Sequence, residues 1–187
     1  MKGIVFREFI EMVENEFSFE MADEIISASD LSTAGAYTSV GTYPHAEMVS
    51  LVTNLSKQTG QPVPALLNHF GRHLFTRFTV IHPNYVNNYG SAFELLQQLD
   101  GNIHVEVKKL YSDAELPSFT YEELPEGGMH FDYRSSRGLA DFAEGLIEGC
   151  IAHFGHAVTV SRTDLPADEH GSHTRFTLTR SEDVHAG

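Results

Sequence analysis

The 187 residues contain one cysteine, Cys150, so no internal disulfide can form. That thiol falls on the apolar face of a predicted helix, which assigns it to packing and not to redox chemistry. Positive charge is scarce: 12 Lys and Arg stand against 26 Asp and Glu, for a net charge of −14. Such a surface repels phosphate backbones and anionic leaflets, which argues against nucleic acid or a membrane as partner. No apolar run approaches the roughly 18–20 residues that span a bilayer. Arg7 and Glu8 interrupt the N-terminal stretch before a signal-peptide core can form, so the chain is expected to be cytoplasmic. There is no His-Glu-x-x-His, which removes that zinc-hydrolase arrangement, and the last loop has no cysteine for a structural zinc cluster. Two histidine pairs, His153-x-x-His156 and His170-x-x-His173, have spacings that leave metal occupancy open.

What is present reads as one α+β domain. Hydrophobic residues make up 41% of the chain, enough for a core and a cofactor pocket. No repeat, low-complexity tract or linker divides it. Over residues 4 to 17, Val5, Phe6, Phe9, Ile10, Val13 and Phe17 recur at helical spacing, with Glu8, Glu11 and Glu14 on the expected wet face. A short helix is predicted over 19 to 28, a helix from Pro44 to a stop at Gly60, and a Phe-rich helix from Pro64 to Thr79 ended by His82-Pro83-Asn84. Two further helical segments, 91 to 99 and 103 to 111, are separated by Asp100-Gly101. After the turn signal Glu126-Gly127-Gly128, MHFDYRSS alternates as a strand. Leu139 to Phe154 carries the cleanest amphipathic pattern, and HAVTVSR and TRFTLTR read as two strands joined by a polar loop from Asp164 to His173. Helices first and strands later indicate α+β.

Tyr133, Ser135 and Arg137 alternate within the predicted strand, so strand geometry aims a phenol, a hydroxyl and a guanidinium at one face. Those donors suit a ligand with two carboxylates. Upstream, His104 sits among Ile103, Val105, Val107 and Leu110, ahead of Pro117, where an imidazole can ligate a metal. Each segment alone has an ordinary explanation: period-two polar residues are usually a wet strand face, and a single histidine is usually structural.

In combination they are more specific. The MKGIVF start, the His104 segment running to Pro117, and Tyr133-x-Ser135-x-Arg137 occur in an order and spacing that resembles the H-NOX family of haem-based nitric oxide and oxygen sensors, over about residues 1 to 180. The resemblance implies haem b with ferrous iron, His104 as its axial ligand, propionates clasped by Tyr133, Ser135 and Arg137, and Pro117 pressing on the porphyrin. It also implies a single unit over 1–181, with an N-terminal helical part of about 1–62, a haem-ligating part over 63–181 and a tail at 182–187. In oxygen-binding members a tyrosine stands where Phe142 is here, with polar partners at the positions of Phe9 and Leu74. All three are apolar in this chain, and with Val5, Phe78 and Leu146 they match a distal pocket that offers bound oxygen no donor. Nitric oxide is then the favoured ligand, and carbon monoxide also binds.

By the same resemblance, nitric oxide weakens the bond from iron to His104, freeing its helix, relaxing the haem away from Pro117 and shifting the N-terminal part. A sensor of this kind is not an enzyme. With no kinase or cyclase in the sequence, its output is expected to pass to a separate protein. In bacterial relatives that protein is typically a histidine kinase or a cyclic-di-GMP enzyme, and in animals the similar domain belongs to soluble guanylate cyclase. The alternatives are an oxygen-binding sensor or carrier, with Tyr37, Tyr43 or His73 as the missing donor, and a haem enzyme using His73.

Overall fold

The computed structural model describes residues 1–180 except Glu126, so the predicted 182–187 tail and the first residue of the Glu126-Gly127-Gly128 turn lie outside the described residues. Among the described residues, seven α-helices run α1 (Gly3–Glu16), α2 (Phe19–Ser27), α3 (His45–Thr59), α4 (Val63–Ile81), α5 (Ala92–Gln97), α6 (His104–Leu110) and α7 (Ala140–Phe154). Their ends follow the local sequence. Ser18 and Ser91 cap α2 and α5, their hydroxyls accepting from Met21 N at 3.1 Å and Glu94 N at 3.2 Å. Gly60 closes α3 in the left-handed region at φ 72°, where a side chain would be strained. Between α5 and α6 the chain makes a wider π-helical turn, Leu99–Ile103.

Four antiparallel strands, β1 (Ser118–Glu123), β2 (Met129–Ser135), β3 (Val158–Asp168) and β4 (Gly171–Arg180), form a sheet in the order β1-β2-β4-β3. One face carries Phe119, Phe131, Tyr133, Phe176 and Leu178, which join residues of α5 and α7 in an apolar cluster. A second cluster gathers α1, α2, α3 and the first half of α4 around Phe6, Phe9, Met12, Leu51, Leu55 and Phe70. Leu146 of α7 packs against both. The α4–α7 crossing is close because glycines line it: a Cβ on Gly145 would lie 2.0 Å from Asn68 O, and one on Gly71 would lie 2.3 Å from Phe142 O.

Four sequence expectations change. The pattern contains an unread strand, β1, whose SFTYEE sends mainly polar residues to solvent and only the half-buried Phe119 toward the core. The Asp164–His173 loop is mostly strand: β3 reaches Asp168 and β4 starts at Gly171, with an irregularity between Leu165 and Asp168, so polarity there marks wet sheet. Glu8 is buried, not wet, because Arg77 of α4 reaches its carboxylate at 2.6 Å. Finally, Arg137 is not on the strand. β2 ends at Ser135, whose hydroxyl accepts from Arg137 N at 3.1 Å, and Gly138 follows at φ 63°, so the chain turns before the arginine.

Candidate functional site

His104 opens α6 directly after the π-helical turn. That turn carries Asp100, which receives His104 Nδ1 on Oδ1 at 2.7 Å and Phe119 N on Oδ2 at 2.9 Å. Burial pushes the Asp100 pKa up, but the bonds from His104 and Phe119 outweigh it and hold the group below its ordinary value. A charged carboxylate can only accept, so Nδ1 carries a proton, and it is Nε2 whose lone pair the neutral ring would present. Nε2 has no hydrogen-bond partner among the described residues. Sequence reading missed Asp100, although a four-residue spacing to His104 was the available signal, because Asp100-Gly101 looked like a helix break.

The His104 ring lies 5.8 Å from Phe119, which in turn lies 5.5 Å from Tyr133 and stacks on Phe131 at 4.8 Å. β1 therefore connects the imidazole to the Tyr-Ser-Arg segment. Tyr133 is buried, and that burial pushes its phenol above the ordinary value. Ser135 is buried beside the turn, and the Arg137 guanidinium meets Glu115 Oε2 at 3.1 Å. Ser135, Arg137, Pro117 and Glu115 share a cleft of about 260 Å³ with Arg134 and Ser136.

The six apolar candidates also converge. Phe9 and Leu74 are fully enclosed in the cluster built by α1 to α4, and Val5, Phe78, Phe142 and Leu146 pack against it. Phe142 stacks on Phe70 at 5.2 Å, and Phe70 meets Phe9 edge-on at 5.1 Å. Phe70, four residues before Leu74 on the same helix face, packs with this group; in sequence the Phe-rich helix fits core packing and a cavity lining equally well.

Of the three alternative donors, two are engaged elsewhere. Tyr37 Oη donates to Glu47 at 2.6 Å, and Tyr43 Oη accepts from Thr38 N at 2.9 Å. His73 faces Glu16, with Nδ1 3.7 Å from the carboxylate and a buried Nε2 that has no partner among the described residues. Of the histidine pairs, His153 lies against Phe75 and Phe154, His156 stacks on Phe154, and His173 Nε2 meets Asp132 at 3.0 Å while His170 is exposed. Among the described residues, no three or more His, Cys, Asp or Glu side chains group as a metal site.

Comparison with known proteins follows the same lines. The haem-NO-binding family profile matches residues 2–162. The structure is similar to the Fe(II) unliganded H-NOX protein of K. algicida, at 36% identity and a TM-score of 0.87 over 100% of both chains. It is also similar to the Fe(II)CO H-NOX of Shewanella woodyi bound to IWP-051, at 40% identity and a TM-score of 0.82 over 97% of this chain and 95% of that one. The Fe(II)NO H-NOX protein of S. oneidensis gives 25% identity and a TM-score of 0.86, covering 97% and 99%. Soluble guanylate cyclase 89Db of Drosophila melanogaster is 26% identical over 158 residues, 82% of this chain and 23% of that protein, so the chain spans about a quarter of this curated relative.

Haem is the cofactor of this family, and the donor set here fits it. His104 offers an imidazole braced at Nδ1 by Asp100, leaving Nε2 for a metal. The Arg137 guanidinium already takes a carboxylate, that of Glu115, which is the chemistry a propionate would bring. On the profile match and the likeness to these structures, the chain belongs to the haem-NO-binding, or H-NOX, family.

Proposed function

We propose that the chain is a ferrous-haem sensor of nitric oxide that signals to a separate protein. Bound haem supplies an iron that takes up a diatomic gas; the remaining steps belong to side chains. His104 tethers α6 through Nε2, and Asp100 fixes the ring orientation from behind. Tyr133, Ser135 and Arg137 would hold the two propionates, with Pro117 lining the same cleft as Ser135 and Arg137 and packing against the porphyrin. Val5, Phe9, Leu74, Phe78, Phe142 and Leu146 surround the gas.

The observation that carries the selectivity is the Phe9–Phe70–Phe142 aromatic cluster beside Leu74. These side chains hold no hydrogen-bond donor. Bound oxygen needs one to stabilise its outer atom, whereas nitric oxide and carbon monoxide need less help. Loss of the His104 tether frees α6 and lets the N-terminal part, about 1–62, shift against 63–181. The output partner, in this reading, is a histidine kinase or a cyclic-di-GMP enzyme in the cytoplasm, and the chain catalyses nothing itself.

The test is the visible spectrum of the dithionite-reduced protein under argon, under air and with nitric oxide. A Soret band that ignores air and shifts with nitric oxide to the position of an iron that has lost its histidine supports the proposal. A stable oxygen adduct instead means an oxygen sensor or carrier. The His104→Gly variant, supplied with haem, is expected to give the gas-bound output without gas, and an unchanged output counts against release of the tether.

A further inference from the structure

The loop from α6 to β1, residues 111 to 117, carries Pro117 and is clamped on two sides. On one side, Glu115 meets Arg137. On the other, the ammonium of Lys2 lies 3.0 and 3.3 Å from the two carboxylate oxygens of Asp113, 2.8 Å from Thr42 Oγ1 and 5.1 Å from the centre of the Tyr111 ring. Thr42 Oγ1 also donates to Asp113. These partners hold Asp113 below its ordinary value, chiefly the hydrogen bond from Thr42 and then that from Lys2. Although Asp113 is 59% exposed, the Lys2 side chain is only 11% exposed, so the ammonium is enclosed where the loop meets the N-terminal segment.

What Lys2 is attached to gives the clamp its reach. Residues 1 to 3 pair with residues 41 to 43: Lys2 bridges Thr42, Gly3 N donates to Gly41 O at 2.8 Å, Tyr43 N donates to Met1 O at 2.9 Å, and the Met1 ammonium donates to Tyr43 O at 2.7 Å. The packing is tight, since a Cβ on Gly3 would sit 2.0 Å from Thr38 O. The start of α1, the segment 38 to 43 and residue 113 therefore make one body, and 113 lies three residues beyond the helix that begins with His104.

We propose that Lys2 and Asp113 are positioning residues that transmit displacement of the His104 helix and its loop to the N-terminal segment. The inference rests on the nitric oxide reading above. Propionates would compete with Glu115 for Arg137, whereas the side-chain partners of Lys2 among the described residues, Thr42, Asp113 and Tyr111, include none of the residues assigned to the haem, so the Lys2 clamp is the one that persists as the loop moves. An enclosed ammonium held by a carboxylate, a hydroxyl and an aromatic face resists sliding better than a single exposed ion pair.

The experiment is amide hydrogen exchange on the ferrous, haem-loaded full chain before and after nitric oxide, in wild type and in Asp113→Asn and Lys2→Met, with the visible spectrum taken on each sample. In wild type, exchange at Gly3, Gly41 and Tyr43 is expected to change by at least about threefold on adding nitric oxide. Both variants are expected to take up nitric oxide with the wild-type spectrum and lose that change. A response that persists in both variants overturns the inference, as does a wild type whose spectrum shifts while these amides stay unchanged. If the wild-type spectrum does not respond to nitric oxide, the sensor reading fails by itself, and the clamp is judged on the resting protein. There, Asp113→Asn must speed exchange at Gly3 and Tyr43 together with Ala114, and no change at these amides overturns it.

Discussion

Asp100 decides which nitrogen of His104 faces outward, and it does so from within a turn that read only as a break. Asp100→Asn keeps the shape but replaces an anionic acceptor with an amide, so haem retention, measured by transfer to a competing haem-binding protein, is expected to fall by about tenfold or more. His104 and the Tyr-Ser-Arg residues stand out as candidates in the sequence because they carry chemistry in their identities. Asp100 does not, since an aspartate before glycine has a commoner explanation, and Phe70 sits in a Phe-rich stripe that fits a filled core as well as a cavity lining. Phe142 is the residue where selectivity is most directly tested. Phe142→Tyr places a hydroxyl donor in an otherwise apolar group, and the ferrous variant is expected to acquire an oxygen-bound spectrum in air that wild type lacks. His73 gives a pH effect. Burial lowers its pKa from 6.5, against the pull of Glu16 and Glu8, so the folded chain favours the neutral ring. The unfolded chain binds the extra proton first as pH falls, so stability is full above about pH 6.5 and declines below it. Denaturant midpoints between pH 7 and pH 5 are expected to show this slope in wild type and a shallower one in His73→Leu.

At the scale of elements, the site is set by two features that a one-dimensional pattern conveys poorly. One is the π-helical turn Leu99–Ile103, which changes the register so that His104 begins α6 while its ring reaches back to Asp100. The other is the α4–α7 crossing. The periodicity of Leu139 to Phe154 predicted α7 and its buried face, but glycines inside a helix look like weak points until a partner is seen against them. Gly71 and Gly145 bring the backbones together where Phe142 and Leu146 emerge beside Leu74. Gly145→Ala forces a methyl into Asn68 O and is expected to cost about 1–3 kcal/mol in urea unfolding. It should also disturb gas binding, because separating the helices displaces the Phe142–Phe70 stack. Arg137 makes the complementary point: strand alternation placed it correctly near Ser135 but for the wrong reason, since a turn built on the Ser135 hydroxyl delivers its guanidinium.

For the whole molecule, the question is how α1 to α3, which fill one apolar cluster, stay attached to the helix that also packs against α7. Apolar periodicity predicted each helix and could not predict which charged residues would meet between them. Glu8, Glu11 and Glu14 looked alike in sequence, yet α1 turns Glu8 onto α4, where its side chain is 8% exposed and Arg77 Nε approaches to 2.6 Å. Glu11 stays half exposed and meets the same guanidinium at 3.5 Å. Arg77 thus compensates an enclosed carboxylate and ties the first helix to the fourth. Removing only the cation leaves Glu8 poorly hydrated, so Arg77→Met is expected to cost about 1–3 kcal/mol, more than an exposed ion pair is worth. Glu8→Gln in that background removes the stranded charge and should recover part of the loss. A urea-unfolding double-mutant cycle separates the two terms. A coupling energy near zero would mean that apolar contact alone holds α1 to α4. A clear coupling that changes little with added salt would mark Glu8–Arg77 as a desolvated fastening between the two clusters, screened less than the exposed charges around it.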